Sequence, residues 1–356
     1  MRNTNTNTNS IDDIINELEK ESKIEIKIAL FGQPGAGKSS LINALVGKNV
    51  VDVSTETDTT KSEGEVPWGE DNSNILTDLP GYGTSKFPAG EYWDRFNLDE
   101  YDLFICVFSG KFHQADDQLF HKIIEKKKPC FFVSNKSDSL VDTTGEKSKQ
   151  ELKEAVKNDI KKRYGEVKTV FTSCVTREGL DELVNEIYAR LDDTKKEKWE
   201  RNAKAYSLDF LKRKREACEK IVISKSLLAA ANGLNPVPGL NLAIDLNVLQ
   251  KLFKEVRKNF DLTDERIKKV TKLNLYPNLA NIGNNIIRSL SYDGIVNLLQ
   301  KQAGKQIAQK ASRYIPLIGI AISAAGGYTI TYLAGKSYLN DCYELAEAIL
   351  KEELNY

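Results

Sequence analysis

The sequence predicts an α/β domain built on a mostly parallel sheet, followed by an all-helical second domain. Three observations lead there. Apolar strand-like runs alternate with helical segments up to residue 192, strand signals then stop, and a glycine-rich turn joins the first strong strand to the helix after it. Such alternation places helices on both faces of an open parallel sheet.

Residues 1–9 alternate Asn and Thr and are expected to form a disordered tail. From Ser10, "SIDDIINELEK" offers an N-cap serine, acidic residues in the first turn and apolar Ile11, Ile14, Ile15 and Leu18. That pattern predicts an amphipathic helix over 10–23, packing with the helical domain. Strands are expected at "EIKIALFG", "NILTDLP", "LFICVFSG", "CFFVSNKSD" and "VKTVFTS". Helices are expected over 39–46, 114–127 and 149–163 and in "REGLDELVNEIYARL", which completes a domain over 24–192. Beyond it, a charged, helix-favouring connector opens the helical domain at 193–356. There, "KSLLAAANGLNPVPGLNLAIDLNVLQKLF" predicts a helical hairpin with Pro236 and Pro238 in its turn. The run from Tyr314 to Gly335 carries no charge, but its Pro, Gly, Ser, Thr and Tyr content suits a buried bundle helix better than a membrane span.

At 356 residues the chain has room for roughly two domains of about 150 residues each. Lys+Arg and Asp+Glu balance at 51 each, so nucleic acid is not an expected partner. Cys106, Cys130, Cys174, Cys218 and Cys342 show no C-x-x-C spacing, which argues for packed thiols in a reducing compartment and against zinc. The polar start lacks a secretory apolar core, and Arg2 gives no myristoylation glycine. A cytoplasmic protein is expected, with peripheral membrane attachment left open. His113 and His121 have no carboxylate pattern around them and read as surface helix residues.

"GQPGAGKS", Gly32 to Ser39, fits a phosphate loop between strand and helix. Glycines 32, 35 and 37 let the backbone wrap a phosphate, and the next helix adds its N-terminal dipole. Gly32, Pro34, Gly35, Ala36, Gly37, Lys38, Ser39 and Ser40 are therefore expected to line the phosphates. Lys38 would bring a cation to the β/γ-phosphates and Ser39 a hydroxyl to Mg²⁺. "STETDTTKSEG" is a polar loop that can fold over the metal through Thr59 or Thr60, and the spacing does not choose between them. In "DLPGYG", Asp78 is the expected acid behind the metal's water and Gly81 the γ-phosphate sensor. Ser39, Thr59, Thr60 and Asp78 are the candidate metal-site residues; Lys38, Thr59, Thr60 and Gly81 are the candidate catalytic ones. "NKSD" ends a strand: Asp138 can accept from guanine's ring N–H and amino group, Asn135 can bridge base and phosphate loop, and the stem of Lys136 can pack on the ring. "TSC", with Ser173 and Cys174, suits a backbone N–H reaching the guanine oxygen. These elements in this order imply a guanine-nucleotide site for GTP/GDP with Mg²⁺.

Read together, "GQPGAGKSSLINAL", "TDLPGYGTSKFP", "NKSD" and "AAANGLNPVPGLNLAIDLNVL" make the chain resemble the immunity-related GTPases, a dynamin-like family. The resemblance covers about residues 10–350. It implies a Ras-like P-loop G domain beside a helical domain built from both termini. It further implies GTP hydrolysis, GTP-dependent self-association through G domains, and action on membranes. Two features depart from vertebrate defence members: position 2 is not glycine, and "NKSD" starts with Asn where Thr is often found. Tyr82 occupies the place where many GTP hydrolases carry a water-holding glutamine, so the isolated monomer is expected to be slow. The alternatives are an RNA- or ribosome-assembly GTPase and a nucleotide-dependent scaffold with negligible hydrolysis.

Overall fold

The computed structural model describes residues 16, 20, 23–47, 64–68, 74–110, 112, 114–142, 144–233, 235–240, 242–272, 277–309 and 322–354. The expected helix at 10–23 falls almost wholly outside them, as do Thr59, Thr60 and the first part of the uncharged run. The chain divides into two compact units, Ile24–Tyr206 and Ser207–Tyr356, the latter together with Met1–Lys23.

Among the described residues of the first unit, six strands lie in the order β2-β3-β1-β4-β5-β6. They are β1 (Lys27–Phe31), β2 (Gly64–Trp68), β3 (Asn74–Asp78), β4 (Leu103–Phe108), β5 (Cys130–Ser134) and β6 (Thr169–Phe171). β1 pairs in parallel with both β3 and β4, and β4–β5 and β5–β6 are parallel too. Every residue of β4 and β5 is buried, which is why these strands read as unbroken apolar runs. β2 was not expected. It pairs antiparallel with β3 at the sheet's end, and Gly64 and Pro67 hide it from propensity. β1 therefore sits where connections leave in opposite directions, and such a switch point opens a crevice at the strands' C-terminal ends.

Helices of this unit are α1 (Lys38–Val46), α2 (Ala89–Arg95), α3 (Gln114–Glu125), α4 (Lys149–Tyr164), α5 (Leu180–Arg190) and α6 (Asp193–Asn202). Ser148 and Glu151 form a capping box that starts α4. The boundary drawn from sequence at 192 precedes α6, which the structure groups with the sheet. Trp199 of α6 is fully buried, stands edge-on to Trp68 at 5.3 Å between ring centroids, and donates its indole N–H to Val184 O at 3.0 Å.

The second unit contains α7 (Leu208–Asn232), α8 (Leu246–Asn259), α9 (Asp264–Lys272), α10 (Pro277–Arg288), α11 (Tyr292–Gln309) and α12 (Ile322–Glu353). The expected hairpin turn carries a two-stranded ribbon, β7 (Asn235–Pro236) with β8 (Ala243–Ile244), which no alternation in so short a stretch could announce. α12 packs against α7, where small residues allow close approach. A Cβ on Gly335 would lie 2.6 Å from Val222 Cγ1, and the Thr331 hydroxyl sits 3.0 Å from Ser226 O. Buried Lys214 donates to Asn259 O, 2.9 Å away at the C-terminal end of α8, the end that favours a cation. Among the described residues, no helix is long and apolar enough to cross a membrane.

Phe253 of α8 stacks on Tyr338 of α12 at 4.2 Å, both fully buried, and joins two of the helices around α7. Phe253→Ala is expected to cost about 3–5 kcal/mol through lost burial and the cavity it leaves. Urea denaturation followed by circular dichroism measures the loss.

Candidate nucleotide site

The crevice is built where β1 ends. Gly32 follows β1 with φ 136°, and a Cβ there would lie 1.9 Å from Val107 O, so the loop leaves the sheet against β4's backbone. Pro34 and Gly35 are exposed at the loop's tip, Gly35 with φ 80°. Ala36 turns inward at 3% exposure, and Gly37, with φ 90°, caps the start of α1. Side chains other than glycine resist that left-handed backbone. Ser40 lies half-buried in the first turn of α1.

Lys38 is only 8% exposed. Its Nζ donates to Gly32 O at 3.0 Å and stands 3.5 Å from Asp78 Oδ1. The Ser39 hydroxyl donates to Asp78 Oδ2 at 2.6 Å. Asp78 ends β3, is 2% exposed, and its Oδ1 has no hydrogen-bond partner among the described residues. A buried carboxylate oxygen with no hydrogen bond, 3.5 Å from the Lys38 ammonium and beside a serine hydroxyl, belongs to a hard-oxygen donor set that fits a hydrated divalent cation such as Mg²⁺. Among the described residues no cluster of three His, Cys, Asp or Glu side chains could hold a metal without such help.

Gly81 is half-buried, with the Thr84 hydroxyl donating to its carbonyl at 3.2 Å. Tyr82 turns away into the core: it is 9% exposed and stands edge-on to Tyr92 at 5.0 Å. Burial raises its phenol pKa. Tyr92, from α2, donates its hydroxyl to Pro80 O at 2.5 Å, which fixes the turn between Asp78 and Gly81.

Asn135 joins the two halves of the site. Its Nδ2 donates to Ala36 O at 2.9 Å, and its Oδ1 accepts from the Thr172 hydroxyl at 3.1 Å. A Cβ on Gly37 would fall 2.3 Å from that Nδ2, so glycine there makes the bridge sterically feasible. Lys136 follows in the left-handed region at φ 60°, exposed. Asp138 is exposed too, and a hydrogen bond from the Ser173 hydroxyl is the first cause that holds its carboxyl below the usual range. Ser173 is itself fully buried, and its Oγ accepts from the amides of Val175 and Thr176. The Cys174 thiol lies 4.0 Å from Asn135 Oδ1, and burial pushes it up to about 11, so it stays protonated.

The structure thus brings together the phosphate loop, Asp78, Gly81, Asn135–Asp138 and Ser173–Cys174. Thr59 and Thr60 lie outside the described residues. Exposed His121 sits on α3 beside Asp117; His113 is outside the described residues. Four of the five cysteines are buried thiols, and Cys174 is partly so. Sequence reasoning missed Gln33, Asp116 and Glu178. Glu178 links both base-side loops: it accepts from Ser137 Oγ at 2.8 Å, Lys149 Nζ at 2.6 Å and Lys153 Nζ at 2.5 Å. For the lysines of α4 the sequence reading goes no further than a helix over 149–163.

Comparison with known proteins shows which family the chain resembles. The model of a family described as Interferon-inducible GTPase (IIGP) matches residues 2–320. The chain is 25% identical over 268 residues to the mouse (Mus musculus) Interferon-gamma-inducible GTPase 10, covering 70% of this chain and 64% of that protein. It is 23% identical over 354 residues to Interferon-inducible GTPase 5 of Rattus norvegicus, covering 91% of this chain and 74% of that one. The chain thus spans just under two thirds of the length of the mouse relative and about three quarters of the rat one. Among solved structures, Aquifex aeolicus Era bound to GDP.AlF4- is similar with a TM-score of 0.39 and 22% identity, over 58% of this chain and 67% of that one. The G domain of T. maritima FeoB has a TM-score of 0.33 and 28% identity, over 47% of this chain and 99% of its own.

The Glu178 clasp makes an acid-sensitive joint. Burial pushes its carboxyl up, but hydrogen bonds from Lys149, Lys153 and Ser137 outweigh that and hold it at about 2, below its ordinary 4.5. Because the folded value is the lower one, the clasp stabilises fully above 4.5 and is lost as pH falls toward 2. Glu178→Gln is therefore expected to be less stable than the parent at neutral pH, the gap closing on acidification. Urea titrations of both proteins at stepped pH measure it.

Proposed function

This chain belongs to the interferon-inducible GTPase family, and from that premise we propose that it binds GTP and GDP, hydrolyses GTP with Mg²⁺, and associates with itself in the GTP state. The observation that carries the reading is the convergence on one crevice of Lys38, Ser39 and Asp78 with Asn135, whose amide reaches Ala36 O at 2.9 Å.

Phosphoryl transfer needs positioning and charge neutralisation more than covalent chemistry. Lys38, now held by Gly32 O, is poised to exchange that carbonyl for phosphate oxygens. The loop amides and the N-terminus of α1 add fixed partial charge. Ser39 and Asp78 are the residues that would hold Mg²⁺, which when bound neutralises charge on the β- and γ-phosphates. Gly81 would offer its N–H to the γ-phosphate, and Thr59 or Thr60 would close the other side. Asp138, its carboxyl lowered by a hydrogen bond from Ser173, would accept from the two guanine donors, with Lys136 on the ring face and the Ser173–Cys174 backbone at the guanine oxygen.

Tyr82 does not supply the water-orienting group, because it packs on Tyr92. A second copy of the chain completing the site accounts for hydrolysis and for self-association together. Membranes as a place of action, and a peripheral attachment to them, follow from the family resemblance alone. The buried Tyr82 also favours a second reading, a nucleotide-dependent scaffold with negligible hydrolysis.

Asp138→Asn is expected to move base preference from guanine to xanthine nucleotides, since an amide matches xanthine's carbonyl where guanine has its amino group. Competition binding against labelled GDP tests the base assignment, and retained guanine preference overturns it. Specific GTPase activity is expected to rise with protein concentration, measured alongside light scattering. A flat profile at a negligible rate would support the scaffold.

A further inference from the structure

Gln33 follows the first glycine of the phosphate loop, and its Nε2 donates to Asp116 Oδ2 at 2.9 Å. Asp116 stands in the first turn of α3 and is 2% exposed. A carboxylate so buried is costly unless hydrogen-bonded, and its place at a helix N-terminus reduces the cost. Gln33 is engaged at its backbone as well. Lys38 Nζ lies 3.5 Å from Gln33 O and 3.0 Å from Gly32 O. Gly32 is packed against Val107 O, where even a Cβ would not fit. The peptide whose carbonyls face Lys38 is thus pinned to β4 on one side and to α3 on the other.

We infer that Asp116 is a positioning residue for nucleotide binding, acting through Gln33 to fix the Gly32 and Gln33 carbonyls and with them the place from which Lys38 meets the β- and γ-phosphates. The inference rests on the nucleotide reading of the site. Asp116 acts through the loop, and the cation it places is that of Lys38. GDP has no γ-phosphate, so a misplaced Lys38 weakens GTP more than GDP. A domain merely loosened by mutation weakens both alike.

The test is titration calorimetry of the full chain with GDP and with a non-hydrolysable GTP analogue, plus thermal melting. The variants are Gln33→Leu, Asp116→Leu and Asp116→Asn. Both Leu variants are expected to lose about ten-fold of the preference for the analogue over GDP, the scale of one lost hydrogen bond to a charged group. Asp116→Asn, whose Oδ1 still accepts from Gln33, is expected to keep most of that preference. An unchanged ratio in both Leu variants overturns the inference, as does Asp116→Asn impaired as badly as Asp116→Leu. If Asp116→Leu does not fold, Gln33→Leu, which leaves the α3 carboxylate in place, is judged by the same ratio. Wild-type protein that binds neither nucleotide overturns the nucleotide reading and this inference together, whereas binding with unchanged ratios overturns the inference alone.

Discussion

The amide of Asn135 is the joint on which the site depends. One end holds the phosphate loop through Ala36 O, the other accepts from Thr172, and the base-side residues begin at Lys136. A single side chain at the end of β5 therefore sets the distance between what would read phosphate and what would read base. Two neighbours accept this constraint. Gly37 has no Cβ because the amide fills that space, and Lys136 takes a left-handed backbone immediately after it. Buried hydrogen bonds of this kind are costly to break one partner at a time, so the joint behaves as a unit.

Around that joint, the carboxylates have separate surroundings. Asp78 is buried and faces Ser39 and Lys38, while Asp138 is exposed, its carboxyl held below the usual range first by a hydrogen bond from Ser173. Glu178 stands outside both and fastens the base-side loops to α4. Burial separates the acid proposed for the metal from the one proposed for the base, and no difference in residue type could have done so.

Legibility in the sequence followed the physics of each element. The five parallel strands were readable because burial on two faces leaves apolar runs, and the phosphate loop because its glycines stand at fixed spacing from a lysine and serine. β2 was not, since a short edge strand with Gly and Pro carries the composition of a loop. The Gln33–Asp116 bond joins residues 83 positions apart, and neither residue type advertises the other. Tyr82 was visible as an anomaly, but its inward turn depends on Tyr92, whose role is set by a hydroxyl contact to Pro80. Side-chain partnerships between distant segments are decided by the fold, and a local pattern cannot contain them.

Pro67 has a consequence for how copies of this chain can meet. It sits within β2, the terminal strand of the sheet among the described residues, and has no N–H to offer. An extended peptide approaching that border would find its hydrogen-bond ladder interrupted after very few rungs. Continuous sheet extension from one molecule into the next is thereby discouraged, which guards that border against fibrous growth.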